Sequence, residues 1–392
     1  MASVSKWTFL KDVLICYLGA FGGPESHYGV FSQQLVLKKH YLTQEELSQL
    51  IALTSLLPGP SSTQTILAIG YRQGGKLLAW LTLLVWALPV VIFMTLFSFS
   101  PTILASFGFS ERVFRYLPTL ALGFLVLALI NLSKKTYRDP YLIIFTVTAL
   151  ILTLFIRVFW FFPILMITGG LLYLWRSFEK TAWTRPKVKP AYSYAFVLVG
   201  LALLGYTAAR ITDYRLFVLF DAFYRYGLVV IGGGQVLVPY MYSDLVEQFG
   251  FMSSEAFMTG YGLVQGLPGP MFSFSAYAGG LASSELGVFG QTMGALLSVT
   301  AIFLPAVLLI LFILPLWEEL KDMQNMKRIL TGVVAVAIGL IASTGIMMAQ
   351  NMTWQIDRLV VLALTVVVIR SQRIPAPLWV IVVVLAGLVL PF

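Results

Sequence analysis

The chain is 392 residues long, which in soluble proteins corresponds to two or three domains. Its composition excludes that class, because 59% of the residues are hydrophobic and only 11% are charged, whereas soluble domains carry about 25% charged residues. The formal net charge of +9 comes from basic residues in short loops between apolar runs, which is typical of a membrane protein and excludes an ordinary nucleic-acid-binding protein.

Apolar segments long enough to cross a bilayer recur along the chain. They predict an all-α, multi-pass membrane protein with about 9 to 13 spanning helices. A basic stretch at residues 176–190 predicts a cytoplasmic linker between a first repeat (1–175) and a second (191–392). The predicted spans are residues 77–99, 113–132, 141–156, 158–175, 191–209, 290–315, 330–348, 359–369 and 377–392.

Other apolar segments are interrupted by glycine and proline. Proline lacks a backbone donor and glycine disfavours helix, so each interruption should end one helix and begin another. At membrane depth such a break is tolerated only where protein or a water-filled cavity surrounds it, and a loop at the membrane surface is the alternative for any single break. The breaks are Gly22-Gly23-Pro24, Pro58-Gly59-Pro60, Gly232-Gly233-Gly234 and Pro268-Gly269-Pro270.

These breaks belong to an internal repeat. The two proline–glycine–proline corners lie 210 positions apart (268 − 58 = 210). The same offset pairs Gly22-Gly23 with Gly232-Gly233, and it pairs Thr43 with Ser253 as residues that favour helix N-caps. A shared offset across spaced motifs indicates a tandem duplication, and paired, interrupted hydrophobic segments in two halves predict a transporter site.

The charge pattern predicts that the two repeats have opposite orientations. Five predicted spans separate Lys76 from its counterpart Leu286, and an odd number places these residues on opposite sides of the membrane. Residues 243–285 include acidic residues such as Asp244 but no lysine or arginine, as expected for loops outside the cell. We therefore expect inverted repeats with re-entrant or broken helices.

The helix that follows each break begins with free backbone N–H groups, which favour an anion. Hydroxyl and amide side chains follow the first corner, and an oxyanion that loses its hydration shell needs many such donors. Simple N-capping is the alternative for any one hydroxyl. The predicted substrate-binding residues are Gly22, Gly23, Pro24, Gly59, Pro60, Ser61, Ser62, Thr63 and Gln64 in the first repeat, and Gly232, Gly233, Gly234, Gln235, Gly269, Pro270 and Ser273 in the second.

Ionisable residues near membrane depth are candidates for coupling or gating. Glu25 and His27 follow the first break, and either could carry a coupling proton. Asp221 and Arg225 are spaced i, i+4 and predict a shielding ion pair, with gating as the alternative. Arg72 could attract anions or simply set the topology. With two histidines and one cysteine in the chain, no metal site or cofactor is expected.

The motifs together resemble those of a known family. Four of them resemble, in order, the signature motifs of the chromate ion transporter family in its long, two-domain form. The resemblance implies transport of chromate, a sulfate-like oxyanion, across the plasma membrane, often as efflux. The second repeat departs from the first, with Gly234 in place of Pro24 and Met271-Phe272 in place of Ser61-Ser62, so its anion contacts are weaker expectations. The motifs are Phe21-Gly22-Gly23-Pro24-Glu25-Ser26-His27, Leu57-Pro58-Gly59-Pro60-Ser61-Ser62-Thr63-Gln64, Gly232-Gly233-Gly234-Gln235 and Leu267-Pro268-Gly269-Pro270.

The functional hypothesis is a secondary transporter that is not an enzyme. Its partners would be the oxyanion and the bilayer, with protons as a candidate coupling ion, a homodimer left open and no nucleic acid. A dianion that leaves an inside-negative cell gains about 2 × 2.3 kcal/mol per 100 mV, which favours efflux. The alternatives are an importer of sulfate or another oxyanion, an anion channel and a membrane-embedded enzyme, although the sequence carries no nucleophile–base pattern for an enzyme.

Overall fold

The computed structural model describes residues 5–21, 23–100, 114–134, 139–156, 158, 161–177, 191–230, 236–316, 324–371 and 373–389. Within these ranges every regular element is a helix, which confirms the predicted all-α class. Each of the nine predicted spans contains an observed helix. Almost all of the predicted linker, together with Gly22 and the segment Gly232 to Gln235, lies outside the described residues.

The first repeat contains seven described helices. The second of them continues into a π-helical segment, Ser32–Lys38, and the fourth is interrupted at Gly74 and Gly75. The helices are α1 (Lys6–Gly19), α2 (Pro24–Phe31), α3 (Gln44–Leu56), α4 (Ser61–Ser98), α5 (Leu117–Ser133), α6 (Pro140–Phe155) and α7 (Phe161–Ser177).

The second repeat follows the same order after a connecting helix, α8 (Tyr192–Thr212). Its π-helical segment, Ser243–Gln248, again follows the second helix of the repeat. A shift of 210 places α9 on α1, at residues 5–19, so the duplication is visible in the backbone as well as in the motifs. The helices are α9 (Arg215–Val229), α10 (Leu237–Tyr242), α11 (Ser254–Val264), α12 (Phe274–Ala282), α13 (Gly287–Ile313), α14 (Gln324–Gln350), α15 (Ile356–Ser371) and α16 (Ala376–Val389).

The long helices are suited to a bilayer. Gly75 and Gly287 each interrupt a helical segment, with φ angles of +71° and +72°. Between them lie five apolar helices, the rest of α4 and α5 to α8, and the described part of the chain adds α9 to α12 before Gly287. Four helical stretches are long and apolar enough to cross a membrane, and these are Ser61–Ser98, Tyr192–Thr212, Ser284–Leu316 and Arg328–Gln350.

The broken helices lie inside the protein, and apolar surface is left for lipid elsewhere. All of residues 61–70 at the start of α4 are buried, whereas only 11% of the apolar window in α8 is buried. Close helix packing is permitted by small residues, since a Cβ on Gly227 of α9 would lie 2.4 Å from the carbonyl oxygen of Ile302 in α13. The interrupted segments are therefore held by neighbouring helices, as the sequence required.

Helix starts confirm the predicted local signals. Thr43 forms a capping box with Glu46 at the start of α3, and Ser253 accepts a hydrogen bond from the Ala256 N–H at the start of α11. Such caps contribute about 1 kcal/mol each and fix where the helix that precedes each corner begins.

Candidate functional site

The first proline–glycine–proline corner contacts the second repeat. Between α3 and α4 the chain turns at Gly59, whose φ of +110° favours glycine. The Gly59 N–H donates a 2.7 Å hydrogen bond to the carbonyl of Val230. Val230 directly follows α9 and precedes the predicted break at residues 232–234. The corner of one repeat is thus bonded beside the break of the other.

The second corner makes the same contact in the opposite direction. Gly269 has a φ of +99°, and its N–H donates a 2.8 Å hydrogen bond to the carbonyl of Ala20. Ala20 follows α1 and precedes the first glycine break. Both partners obey the repeat offset, since 59 + 210 = 269 and 20 + 210 = 230. Two equivalent backbone bonds therefore join the repeats at their interrupted segments.

Polar side chains follow the first corner and are all buried. The residues are Ser61, Ser62, Thr63 and Gln64, with exposed fractions of 8%, 4%, 2% and 1%. The helix they begin has Pro60 at its N-cap and no side-chain cap, so none of these side chains serves as a simple N-cap. A buried helix start with hydroxyl and amide donors is suited to an oxyanion.

His27 connects the first break to this donor group. Its Nδ1 lies 2.9 Å from the Ser62 hydroxyl, and its backbone N–H donates to the carbonyl of Gly23 at 3.2 Å. The imidazole is 2% exposed and stands edge-on to the indole of Trp86, with ring centroids 5.2 Å apart. Trp86 in turn donates from Nε1 to the Thr63 hydroxyl at 3.2 Å. His27 and Trp86 therefore orient two of the four predicted donors.

The second repeat offers a less polar surface at the equivalent positions. Phe272 stands where the first repeat has Ser62, and Ser273 stands where it has Thr63. The Ser273 side chain is fully buried, and among the described residues neither its hydroxyl nor Oε1 of the buried Gln64 has a hydrogen-bond partner. A buried polar atom without a partner costs about 1–3 kcal/mol, and a bound oxyanion would offset this cost at the Ser273 hydroxyl, which can donate to it, but not at the Gln64 oxygen, which only accepts.

The remaining predicted residues fall into four groups. Arg72 is exposed and pairs with Glu46 at 3.9 Å, and it follows Ser61 by 11 positions in α4, about 16 Å along the helix from the first corner. Asp221 and Arg225 form the predicted i, i+4 ion pair at 3.1 Å. Pro24 and Glu25 lie in the first turn of α2, and Pro270 precedes the short 3₁₀ turn Met271–Ser273. Five predicted residues lie outside the described ranges, namely Gly22, Gly232, Gly233, Gly234 and Gln235.

Two buried carboxylates were not predicted. Asp12 lies in α1 and is 2% exposed, and Asp244 lies in the second π-helical segment and is 1% exposed. Asp244 was expected to be a loop charge, but it lies in a helical segment and is buried. An acidic residue inside an apolar helix was the available signal for Asp12.

Comparison with known proteins is consistent with this duplicated arrangement. An uncharacterized transporter of Methanocaldococcus jannaschii is 24% identical over 360 residues, covering 90% of this chain and 86% of the relative. A probable chromate transport protein of Synechococcus elongatus is 24% identical, covering 95% and 93%. A chromate transport protein of Cupriavidus metallidurans is 23% identical, covering 94% and 89%. No solved structure matches the chain significantly.

The family comparison matches the chain twice. The sequence model of the chromate transporter family covers residues 7–175 and again residues 217–390, one match in each repeat. Together the two matches span most of the chain, and this protein therefore belongs to the chromate transporter family.

Proposed function

We propose that this protein is a secondary transporter that exports chromate across the plasma membrane. The observation that carries the proposal is the pair of cross-repeat hydrogen bonds, Gly59 to Val230 and Gly269 to Ala20. They join the interrupted segments of both repeats next to the buried donors that follow the first corner. Family membership and the relatives described as chromate transport proteins support the choice of substrate.

The donor chemistry suits a tetrahedral dianion. Ser62, Thr63 and the backbone N–H groups at the start of α4 can donate hydrogen bonds without placing a lysine or arginine at the site. A site built from neutral donors compensates for lost hydration and still allows the ion to leave. Each hydrogen bond to a charged group contributes about 1.5–3 kcal/mol, so a few of them suffice for reversible binding.

The repeat symmetry supports alternating access. In inverted-repeat transporters one repeat rocks against the other around a site near the bilayer midplane. The two equivalent bonds cross from one repeat to the other, and rocking of one repeat about these contacts would open the site first to one side of the membrane and then to the other. Export follows the membrane potential, because a dianion gains about 2 × 2.3 kcal/mol per 100 mV when it leaves an inside-negative cell.

The proposal can be tested by chromate accumulation in cells with and without this chain. We expect lower accumulation in cells that express it, and we expect the variant Ser62→Ala/Thr63→Ala to abolish this difference at equal membrane abundance. Ser48→Ala is the matched control, because its hydroxyl is exposed on α3 and donates to the Gln44 carbonyl of the same helix. Equal accumulation with and without the wild-type chain would contradict chromate export.

The same experiment separates the alternatives. Higher chromate accumulation that excess sulfate suppresses would indicate an importer of sulfate-like oxyanions. In proteoliposomes, a transporter should exchange internal for external chromate. An anion channel would instead pass a net current that internal chromate does not stimulate. Loss of exchange in the Ser62→Ala/Thr63→Ala variant would assign the first corner to the substrate in either transport direction.

A further inference from the structure

The second repeat contains a buried carboxylate that is incompletely paired. Asp244 lies in the π-helical segment Ser243–Gln248, and π-helical turns often occur at functional sites. Its Oδ2 accepts a 3.0 Å hydrogen bond from the Tyr226 hydroxyl and lies 4.0 Å from a guanidinium nitrogen of Arg225. Its Oδ1 is buried and has no hydrogen-bond partner in the described part of the chain.

The first repeat places a fully paired carboxylate at the same junction. Asp12 of α1 accepts hydrogen bonds from Gln34 at 3.2 Å and from the Tyr41 hydroxyl at 2.5 Å, and it pairs with Lys39 at 3.1 Å. Gln34 is the counterpart of Asp244 by the repeat offset (34 + 210 = 244). In the first repeat the acid lies on the first helix and the cation, Lys39, follows the π-helical segment. In the second repeat the positions are reversed, with Arg225 on the first helix and Asp244 in the π-helical segment. Among the described residues, only the first repeat provides partners for both carboxylate oxygens.

The guanidinium group of Arg225 lies closer to Asp221 than to Asp244. Arg225, Tyr226 and Asp221 of α9 are described groups that act on Asp244 through charge or a hydrogen bond. Arg225 makes its closer bond, 3.1 Å, to Asp221, which is also faced by Arg210 of α8. Burial of a charged carboxylate with an unpaired oxygen costs several kcal/mol, and a proton on that oxygen would remove the charge.

We propose that Asp244 is the proton-binding site that couples chromate transport to a proton gradient. The inference rests on the proposed transport function and adds the residue that carries the proton. The step is the reversible binding of one proton, in which the carboxylate becomes a carboxylic acid on one side of the membrane and releases the proton on the other. When Asp244 is protonated, Arg225 pairs with Asp221. When Asp244 loses its proton, its negative charge attracts Arg225 toward it.

A short covalent and hydrogen-bonded path connects this switch to the substrate corner. Tyr226, whose hydroxyl holds Asp244, accepts a 3.2 Å hydrogen bond from the Val230 N–H through its backbone carbonyl. Val230 then accepts the bond from Gly59, at the corner that precedes the buried donors. Movement at Asp244 is therefore transmitted along the end of α9 to the contact between the repeats.

The test is chromate flux in proteoliposomes with the membrane potential clamped at zero. One pH unit corresponds to about 1.4 kcal/mol, so each coupled proton should change the chromate accumulation ratio about tenfold per unit of imposed gradient. We expect Asp244→Asn to keep chromate exchange at equal pH and to lose accumulation driven by the gradient. Asp244→Glu, which keeps the titrating group, should retain part of that accumulation.

Asp12→Asn is the matched control, because Asp12 is equally buried but fully paired. We expect it to lower the melting temperature in detergent while the response to the pH gradient is retained. The proposal is overturned if Asp244→Asn responds as the wild type does, if both asparagine variants lose the response equally, or if wild-type exchange ignores the gradient. A wild-type protein without any chromate exchange would instead contradict the proposed function.

Discussion

Substitution of Gly59 by alanine tests the corner geometry most directly. A side chain at a φ of +110° costs about 1–3 kcal/mol. The new Cβ would also lie 3.0 Å from Cβ of Ala306 and 3.2 Å from Nε2 of Gln64, which donates a 2.7 Å hydrogen bond to the Pro58 carbonyl. Loss of that bond adds about 1 kcal/mol, so the corner should be disturbed by about 2–4 kcal/mol in all.

We expect this disturbance to lower chromate exchange at least tenfold, because about 1.4 kcal/mol corresponds to a factor of ten in rate. The assay is exchange in proteoliposomes, normalised to folded protein. Gly250→Ala is the control, because Gly250 also has a positive φ of +60° but a Cβ there would meet no atom within 4 Å. Wild-type exchange by Gly59→Ala, or an equal loss in Gly250→Ala, would refute the reasoning.

Three further predictions concern individual side chains. In a double-mutant cycle of His27→Gln and Ser62→Ala, the free energies of unfolding measured in detergent should give a coupling energy of about 1 kcal/mol. Additive effects of the two substitutions would contradict the 2.9 Å contact. Arg72→Ala should leave chromate exchange within about twofold, since its 3.9 Å pair with Glu46 is partly exposed; a larger loss would restore Arg72 to the site. Ser273→Ala should raise the melting temperature, because it removes a buried hydroxyl that has no partner among the described residues, yet weaken chromate binding; unchanged binding would exclude Ser273 from the site.

Much of the fold could be predicted because its signals are local. Long apolar runs set the spans, and a threonine or serine before a polar first turn set the starts of α3 and α11. Pro58-Gly59-Pro60 predicted a helix break, and the backbone turns there. The repeat offset predicted which segments are equivalent, although it could not predict that each corner would bond beside the break of the other repeat.

The features that escaped prediction depend on contacts distant in sequence. A π-helical segment has the composition of an ordinary helix, so Ser32–Lys38 and Ser243–Gln248 carry no signal of their own. Asp244 looks like a solvated loop charge until α9 brings Tyr226 against it, 18 positions away in the chain. In the sequence Trp86 is one of several aromatic residues in a long apolar span. Only in the folded chain does its indole N–H donate to the Thr63 hydroxyl.

The repeats differ in side chains where they agree in backbone, and this division has a physical reason. The bonds from Gly59 and Gly269 use only backbone atoms, so divergence of neighbouring side chains leaves them unchanged. Rocking between two equivalent geometries needs this symmetry in the scaffold. One dianion, however, needs only one strong set of donors, because a second set would bind it too tightly for release. We therefore expect transport to tolerate Phe272 at the position of Ser62 but not the loss of either corner glycine.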